Sequence, residues 1–116
     1  KDTTFFLKNN CKVIPMTVTL DQAYSIQKGL EGKVNFRPMS HDTIITILEN
    51  FNIEILMIKI SRMEQGVYLA DLLLKKDDKI LNLDVRPSDA VALAVRTKTK
   101  VYVSDELLEK YGQKVC

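Results

Sequence analysis

Two stretches of this chain set an arginine and a proline just ahead of a serine, an aspartate and an apolar run: Phe36-Arg37-Pro38-Met39-Ser40-His41-Asp42 and Val85-Arg86-Pro87-Ser88-Asp89. No other feature constrains folding as strongly. A proline holds the residue before it extended and is tolerated at the start of a helix but not inside one. Each stretch should therefore run extended through its arginine and then enter a helix, with serine as the N-cap and aspartate in the first turn. The chain reads as internally duplicated, from two strand/Arg-Pro/helix units. Each unit gathers a guanidinium, a hydroxyl and a carboxylate at a helix N-terminus, where free N–H groups and the helix dipole favour an anion.

The segments around these units are short. Thr3 to Leu7 and Lys12 to Thr17 are β-like runs separated by Asn9-Asn10, a pair suited to a tight hairpin. Thr19 and Gln22 form a capping box ahead of a helix with Ala23, Ile26 and Leu30 as its apolar stripe, and Gly32 stops it. Val34 to Pro38 is extended. Ser40 then caps a helix whose Ile44, Ile47, Leu48 and Phe51 fall on one face. Ile53 to Ile60 and Val67 to Lys75 read as a hairpin, and Lys79 to Val85 as a further strand. A helix with Val91, Ala94 and Val95 inward follows, then a short strand at Lys100 to Val103 and a last helix capped by Ser104, carrying Leu107, Leu108 and Tyr111. Hairpin-like links and clustered helices predict an α+β fold with a mainly antiparallel or mixed sheet and helices packed against it.

At 116 residues and 46% hydrophobic, the chain suits one domain over residues 1–116, with one core. It starts at Lys1 with β-like residues almost at once, so an upstream edge strand is expected to be missing. A net charge of +2 does not by itself mark a nucleic-acid binder. Apolar runs such as Ile55 to Ile58 are too short to cross a bilayer and no basic-then-apolar leader is visible, so no membrane association and a cytoplasmic location are expected. The two cysteines, Cys11 and Cys116, show neither zinc-ligand spacing nor a disulfide framework. No Gly-rich phosphate loop, Gly-x-Ser-x-Gly elbow, His-Glu-x-x-His or Cys-x-x-Cys occurs, which disfavours P-loop enzymes, serine hydrolases, zinc proteases and thioredoxin-like enzymes.

The duplicated segments also carry a resemblance. Arg37-Pro38 with Ser40-His41-Asp42, and Leu83-Asp84-Val85-Arg86-Pro87-Ser88-Asp89-Ala90-Val91-Ala92-Leu93-Ala94, look like the two hallmark segments of the bifunctional nuclease domain. Gly66-Val67-Tyr68-Leu69-Ala70 and Val101-Tyr102-Val103-Ser104 extend the likeness over roughly Val13 to Gly112. The chain departs from the family where a Gly and a Glu-Ala pair usually follow Pro15, because Thr19 and Gln22-Ala23 stand there. What the resemblance implies is a family named for DNase and RNase activity, with nucleic acid as the partner.

Phosphodiester hydrolysis needs an activated water, charge compensation for the phosphoryl group and help for the leaving oxygen, often from Mg²⁺ or Mn²⁺ on carboxylates. On that reading Asp84, Asp89 and Asp42 would hold a hard cation, with Asp84 and Asp89 as the principal metal ligands. Arg37 and Arg86, with Ser40 and Ser88, would grip phosphate, and His41 would be the general base or acid. No zinc and no organic cofactor are expected. The competing reading is a non-catalytic module that binds an anionic ligand or a partner at the same helix starts. A plainer, structural reading has arginines of one unit simply clasp aspartates of the other. Arg96, Lys98 and Lys100 read as guards of a strand edge, and Tyr68 and Tyr102 as core residues with a wet hydroxyl. Hydrophobic strands with limited cover in so short a chain suggest a homo-oligomer.

Overall fold

The computed structural model describes residues 2–116. The chain runs β1 (Asp2–Asn9), β2 (Lys12–Thr19), α1 (Leu20–Glu31), α2 (Ser40–Asn50), β3 (Glu54–Glu64), β4 (Val67–Lys76), β5 (Lys79–Val85), α3 (Pro87–Thr97), β6 (Val101–Val103), α4 (Asp105–Tyr111) and β7 (Gln113–Lys114). The fold is α+β, as expected, with the strands divided between two sheets. One is antiparallel, in the order β1-β2-β7; the other is mixed, in the order β5-β4-β3-β6. All neighbouring strands pair antiparallel except β3 and β6, which run parallel.

The turns form where the sequence permits a left-handed backbone. Asn10 (φ 54), Gln65 (φ 52) with Gly66 (φ 80), and Asp77 (φ 53) close the three hairpins. The capping box forms too: Thr19 N–H donates to Gln22 Oε1 at 2.9 Å and Gln22 N–H donates to Thr19 Oγ1 at 3.2 Å. Gly32 ends α1 at φ 68, a conformation that costs glycine nothing.

α3 is the centre of the molecule. Ala90 to Ala94 are all buried, so this helix is covered on every side, by α1, by α2 and by the sheet through β4 and β3. The main core joins its Ala90, Leu93 and Ala94 to Ile14 and Met16 of β2, Ile58 and Ile60 of β3, Ala70, Leu72 and Leu74 of β4, Leu48 and Leu107. A second cluster packs Ile26 of α1 on Val91 and Ala92. Gly29 makes the α1–α3 approach possible: a Cβ there would lie 2.5 Å from Val95 Cγ2 and 2.8 Å from an Arg96 terminal nitrogen.

Several expectations are corrected. Leu30 is exposed, and α1 buries Ser25, Ile26 and Gly29 instead. Of the four apolar residues assigned to the inner face of α2, only Leu48 is buried; Ile44, Ile47 and Phe51 are exposed because α2 leans on α3 with one narrow side. Val34 to Pro38 is loop rather than strand. Arg96, Lys98 and Lys100 do not share an extended segment: Arg96 lies in the last turn of α3, Lys98 ends that helix at φ 55 and Lys100 precedes β6.

The cysteines are also corrected. β7 lies beside the start of β2, Val115 N–H donates to Cys11 O at 2.8 Å, and Cys11 and Cys116 form a disulfide with Cα atoms 5.1 Å apart. The pairing could not be read from spacing, because it joins residues 105 apart in sequence. Closing so long a loop restricts the unfolded chain, a stabilisation of about 4–5 kcal/mol by loop-closure entropy. Cys11→Ser should therefore lower Tm by roughly 15–20 °C relative to the oxidised chain and match the chain measured in dithiothreitol, by thermal unfolding followed with circular dichroism.

Candidate phosphate-binding site

The two helix entrances lie against each other, but their caps differ from the expectation. The first helical hydrogen bonds run from Thr43 N–H to Met39 O and from Ala90 N–H to Arg86 O, so Met39 and Arg86, not the serines, are the N-cap residues. Pro87 takes the first helical position, where its missing N–H is no loss, whereas the extra Met39 in the first unit leaves Pro38 outside the helix. Ser40 is consequently an exposed first-turn residue, and Ser88 is buried. The positions that correspond are Asp42 and Asp89, each third in its helix. Arg37, exposed in the loop, has no counterpart relation to Arg86.

From these entrances a chain of hydrogen bonds crosses three helices. Arg96 Nε donates to Asp42 Oδ1 at 2.7 Å, and Asp42 Oδ2 accepts from Met39 N–H at 2.9 Å. One terminal nitrogen of Arg96 donates to Ser25 O at 3.0 Å and Ala92 O at 2.9 Å, and the other to Ser25 Oγ at 3.2 Å. Ser25 Oγ lies 2.6 Å from His41 Nδ1, and His41 Nε2 lies 2.9 Å from Asp89 Oδ1. Asp89 Oδ2 accepts from Arg86 Nε at 2.9 Å.

Arg96 can only donate, so Ser25 Oγ accepts from it and also bonds His41 Nδ1. At the other side of the ring the Asp89 carboxylate accepts from His41 Nε2–H.

Ser, His and Asp side chains in a row invite comparison with a nucleophilic triad, and burial decides against it. Ser25 is only 2% exposed and sits under the Arg96 guanidinium, so no substrate carbonyl or phosphate reaches its oxygen. His41, expected as general base, has both ring nitrogens engaged and acts as a strut between α1 and α3. Asp42 likewise has both oxygens occupied. Ser25 and Arg96 are the members that sequence reasoning missed. The one signal was Arg96 in the final turn of a helix whose neighbours are otherwise apolar.

Burial alone would raise the pKa of both carboxyls, yet both are held below the ordinary carboxylate range. For Asp42 the Arg96 hydrogen bond and the Met39 N–H outweigh desolvation; for Asp89 the bonds from His41 and Arg86 do so. The clasp expected between the arginines of one unit and the aspartates of the other is not what forms: Arg86 bonds Asp89 of its own unit, and Asp42 is met by Arg96 from the far end of α3.

Arg86 ends this chain of bonds and faces outward. Its side chain is 71% exposed, and only Nε is engaged. Among the described residues nothing bonds its two terminal nitrogens. It borders a cleft of about 660 Å³, with Asp84 and Ser88 beside it, Gln22, Met16 and Val18 from the β2–α1 side, and Val67 and Tyr68 from β4. Asp84 and Arg86 are two apart at the end of β5, so a carboxylate and a guanidinium share this cleft.

Asp84 and Asp89, expected to hold a metal together, are not gathered as one. Asp89 spends both oxygens on His41 and Arg86 and does not line the cleft, and among the described residues no three His, Cys, Asp or Glu side chains converge.

Removing the Asp42 carboxylate strands an arginine that is only 7% exposed. Asp42→Ala should cost about 3–5 kcal/mol in chemical denaturation. Because the folded-state pKa of Asp42 and Asp89 is depressed, their stabilisation is complete above pH ~4 and is lost as pH falls through the folded values. Tm of the parent chain should drop below that pH, and Asp42→Asn should drop less steeply; equal slopes would remove the pair from the account.

Comparison with known proteins bears on what such a cleft is for. The family profile described as the bifunctional nuclease domain matches residues 6–115. An uncharacterized protein of Mycobacterium tuberculosis is 27% identical over 104 residues, covering 90% of this chain and 62% of the relative. Bifunctional nuclease 1 of Arabidopsis thaliana is 27% identical over 82 residues, 68% of this chain and 25% of the relative. Bifunctional nuclease 2 of Oryza sativa subsp. japonica is 30% identical over 79 residues, 66% of this chain and 24% of the relative. The chain thus spans less than two thirds of these relatives' own length. With nearly all of its residues inside the matched span, it belongs to the bifunctional nuclease domain family.

Proposed function

We propose that the chain binds the phosphate backbone of DNA or RNA at Arg86 and hydrolyses it in the adjoining cleft. The observation that carries the reading is Arg86 itself. Asp89 fixes its Nε side, and the two free terminal nitrogens present the planar fork that matches two phosphate oxygens. His41, Ser25 and Arg96 act through Asp89 as positioning residues. They hold the carboxylate that aims the guanidinium, so the fork is oriented before a phosphate arrives.

Asp84 is the carboxylate assigned to orient the attacking water, since it faces the same cleft and no side chain of the described residues bonds it. Membership of a family named for nuclease activity supports the chemistry, and the free fork supports the place. Arg37 and Ser40, both exposed ahead of or in the first turn of α2, are proposed as further contacts to the nucleic-acid backbone.

Dependence on Mg²⁺ or Mn²⁺ is a separate part of the proposal, with no step of the chemistry resting on it here. It is read from hydrolysis in EDTA and with each ion added back, and full activity in EDTA would retire it. A cytoplasmic location is proposed with the same reserve of test: disulfides persist in oxidising compartments, so a cytosolic chain should yield Cys11 and Cys116 as alkylatable thiols when cells are lysed into iodoacetamide. Self-association of copies is also proposed.

A second reading has an observation behind it. The network is closed, and His41 offers no free nitrogen, which suits a module that binds phosphate without cutting it. The readings separate on two variants. Arg86→Ala should weaken binding of a fluorescent single-stranded oligonucleotide more than tenfold with Tm nearly unchanged, since the side chain is exposed. Asp84→Ala should leave that binding intact and abolish hydrolysis. Cleavage that survives Asp84→Ala would sink the catalytic assignment, and binding that survives Arg86→Ala would sink the site.

A further inference from the structure

Among the described residues β5 is an edge of the four-stranded sheet, with Lys79 and Asp84 near its ends but no charge from Ile80 to Leu83 between them. Its register against β4 runs without a shift from Ala70↔Val85 to Lys76↔Lys79, so its backbone N–H and C=O groups on the outer side form a regular row that no strand of the described residues pairs. It contains no proline and no bulge. The opposite edge, β6, is three residues long with Lys98 and Lys100 just ahead of it, and β3 is broken by two register shifts.

The side chains of β5 are also wrong for an edge in water. Ile80 is 58% exposed, Leu81 46% and Leu83 36%, although Leu81 and Leu83 oppose the buried Leu74 and Leu72. The apolar row on the inner face of the sheet therefore continues past β4 onto β5 and ends uncovered. Aligned apolar side chains beside free strand hydrogen-bonding groups are what a second strand of the same kind would cover.

We propose that β5 pairs antiparallel with β5 of a second copy, about a two-fold axis through Asn82. A two-fold perpendicular to the sheet keeps each side chain on its own face, so only residues an even number apart can oppose one another. Centring on Asn82 overlaps the whole of Lys79–Val85. It sets Leu81 against Leu83 of the partner subunit, and the reverse, which joins four leucines into one inner-face cluster continuous with Leu72 and Leu74. It also sets Asp84 beside Ile80 of the partner subunit, so each cleft gains a rim from the other copy. The two open edges become one eight-stranded sheet. This rests on the self-association proposed above, which can hold while this surface fails.

The purified chain should show twice its 13.3 kDa mass in light scattering after size exclusion. Ile80→Lys combined with Leu81→Lys should halve that mass, while Ile47→Glu on the exposed face of α2 should not. Asn82→Cys should cross-link into a covalent dimer under mild oxidation, because opposed residues in a hydrogen-bonded pair have Cα atoms about 5.5 Å apart, within disulfide reach. Asp78→Cys should not. The cross-link keeps the idea testable if the double lysine variant fails to fold. A monomeric parent chain overturns both self-association and this surface. A dimer that fails to cross-link through Asn82→Cys, or that dissociates on Ile47→Glu, overturns this surface alone.

Discussion

The buried pair between Arg96 and Asp42 is the contact on which the site depends. It joins the last turn of α3 to the first turn of α2, and the same guanidinium reaches the backbone and hydroxyl of Ser25 on α1. An arginine taken out of water is tolerated only when its donors are met, and here carbonyls of Ser25 and Ala92, a hydroxyl and a carboxylate meet them. Three helices are thereby held at one relative setting. Gly29 is the steric condition for it, since any side chain there would occupy the space of Val95 and Arg96.

From that fixed point the bonds run outward. Arg96 donates to Ser25, Ser25 bonds His41, His41 donates to Asp89, and Asp89 also accepts from Arg86 at the surface. A cation buried in the helix layer is thus connected to a cation at the surface through groups that each have one role. The exposed guanidinium is stiffened from within, which a lone surface arginine is not. The cost is that His41 and Asp42 are consumed as structure. What the network leaves open at the cleft is Asp84 and the outer face of Arg86.

The apolar surface is distributed with a similar logic. α3 takes nearly all the available cover, because alternate alanines at 90, 92 and 94 let neighbours approach closely while Val91 and Leu93 fill the space between. What it does not cover stays open, on the outer side of α2 and on β5. The disulfide then ties the β1–β2 turn to β7, closing the antiparallel sheet on the side away from β1.

The sequence by itself determined the elements and the two helix entrances. Capping at Thr19, the left-handed turn residues, and the Arg-Pro steps act over a few residues, so local stereochemistry was enough to place them, and the hallmark segments were enough to place the family. Even there the cap was misplaced by one residue in α2, because Met39 shifts the proline out of the helix. Only tertiary structure decided the partners. Asp42 meets Arg96 across 54 residues, His41 meets Asp89 across 48, and Cys11 meets Cys116 across 105. Ser25, an unremarked helical serine in the sequence, becomes the joint between them. Such pairings depend on which helix faces pack together, and that is set by the summed burial of residues far apart in the chain, which no local pattern carries.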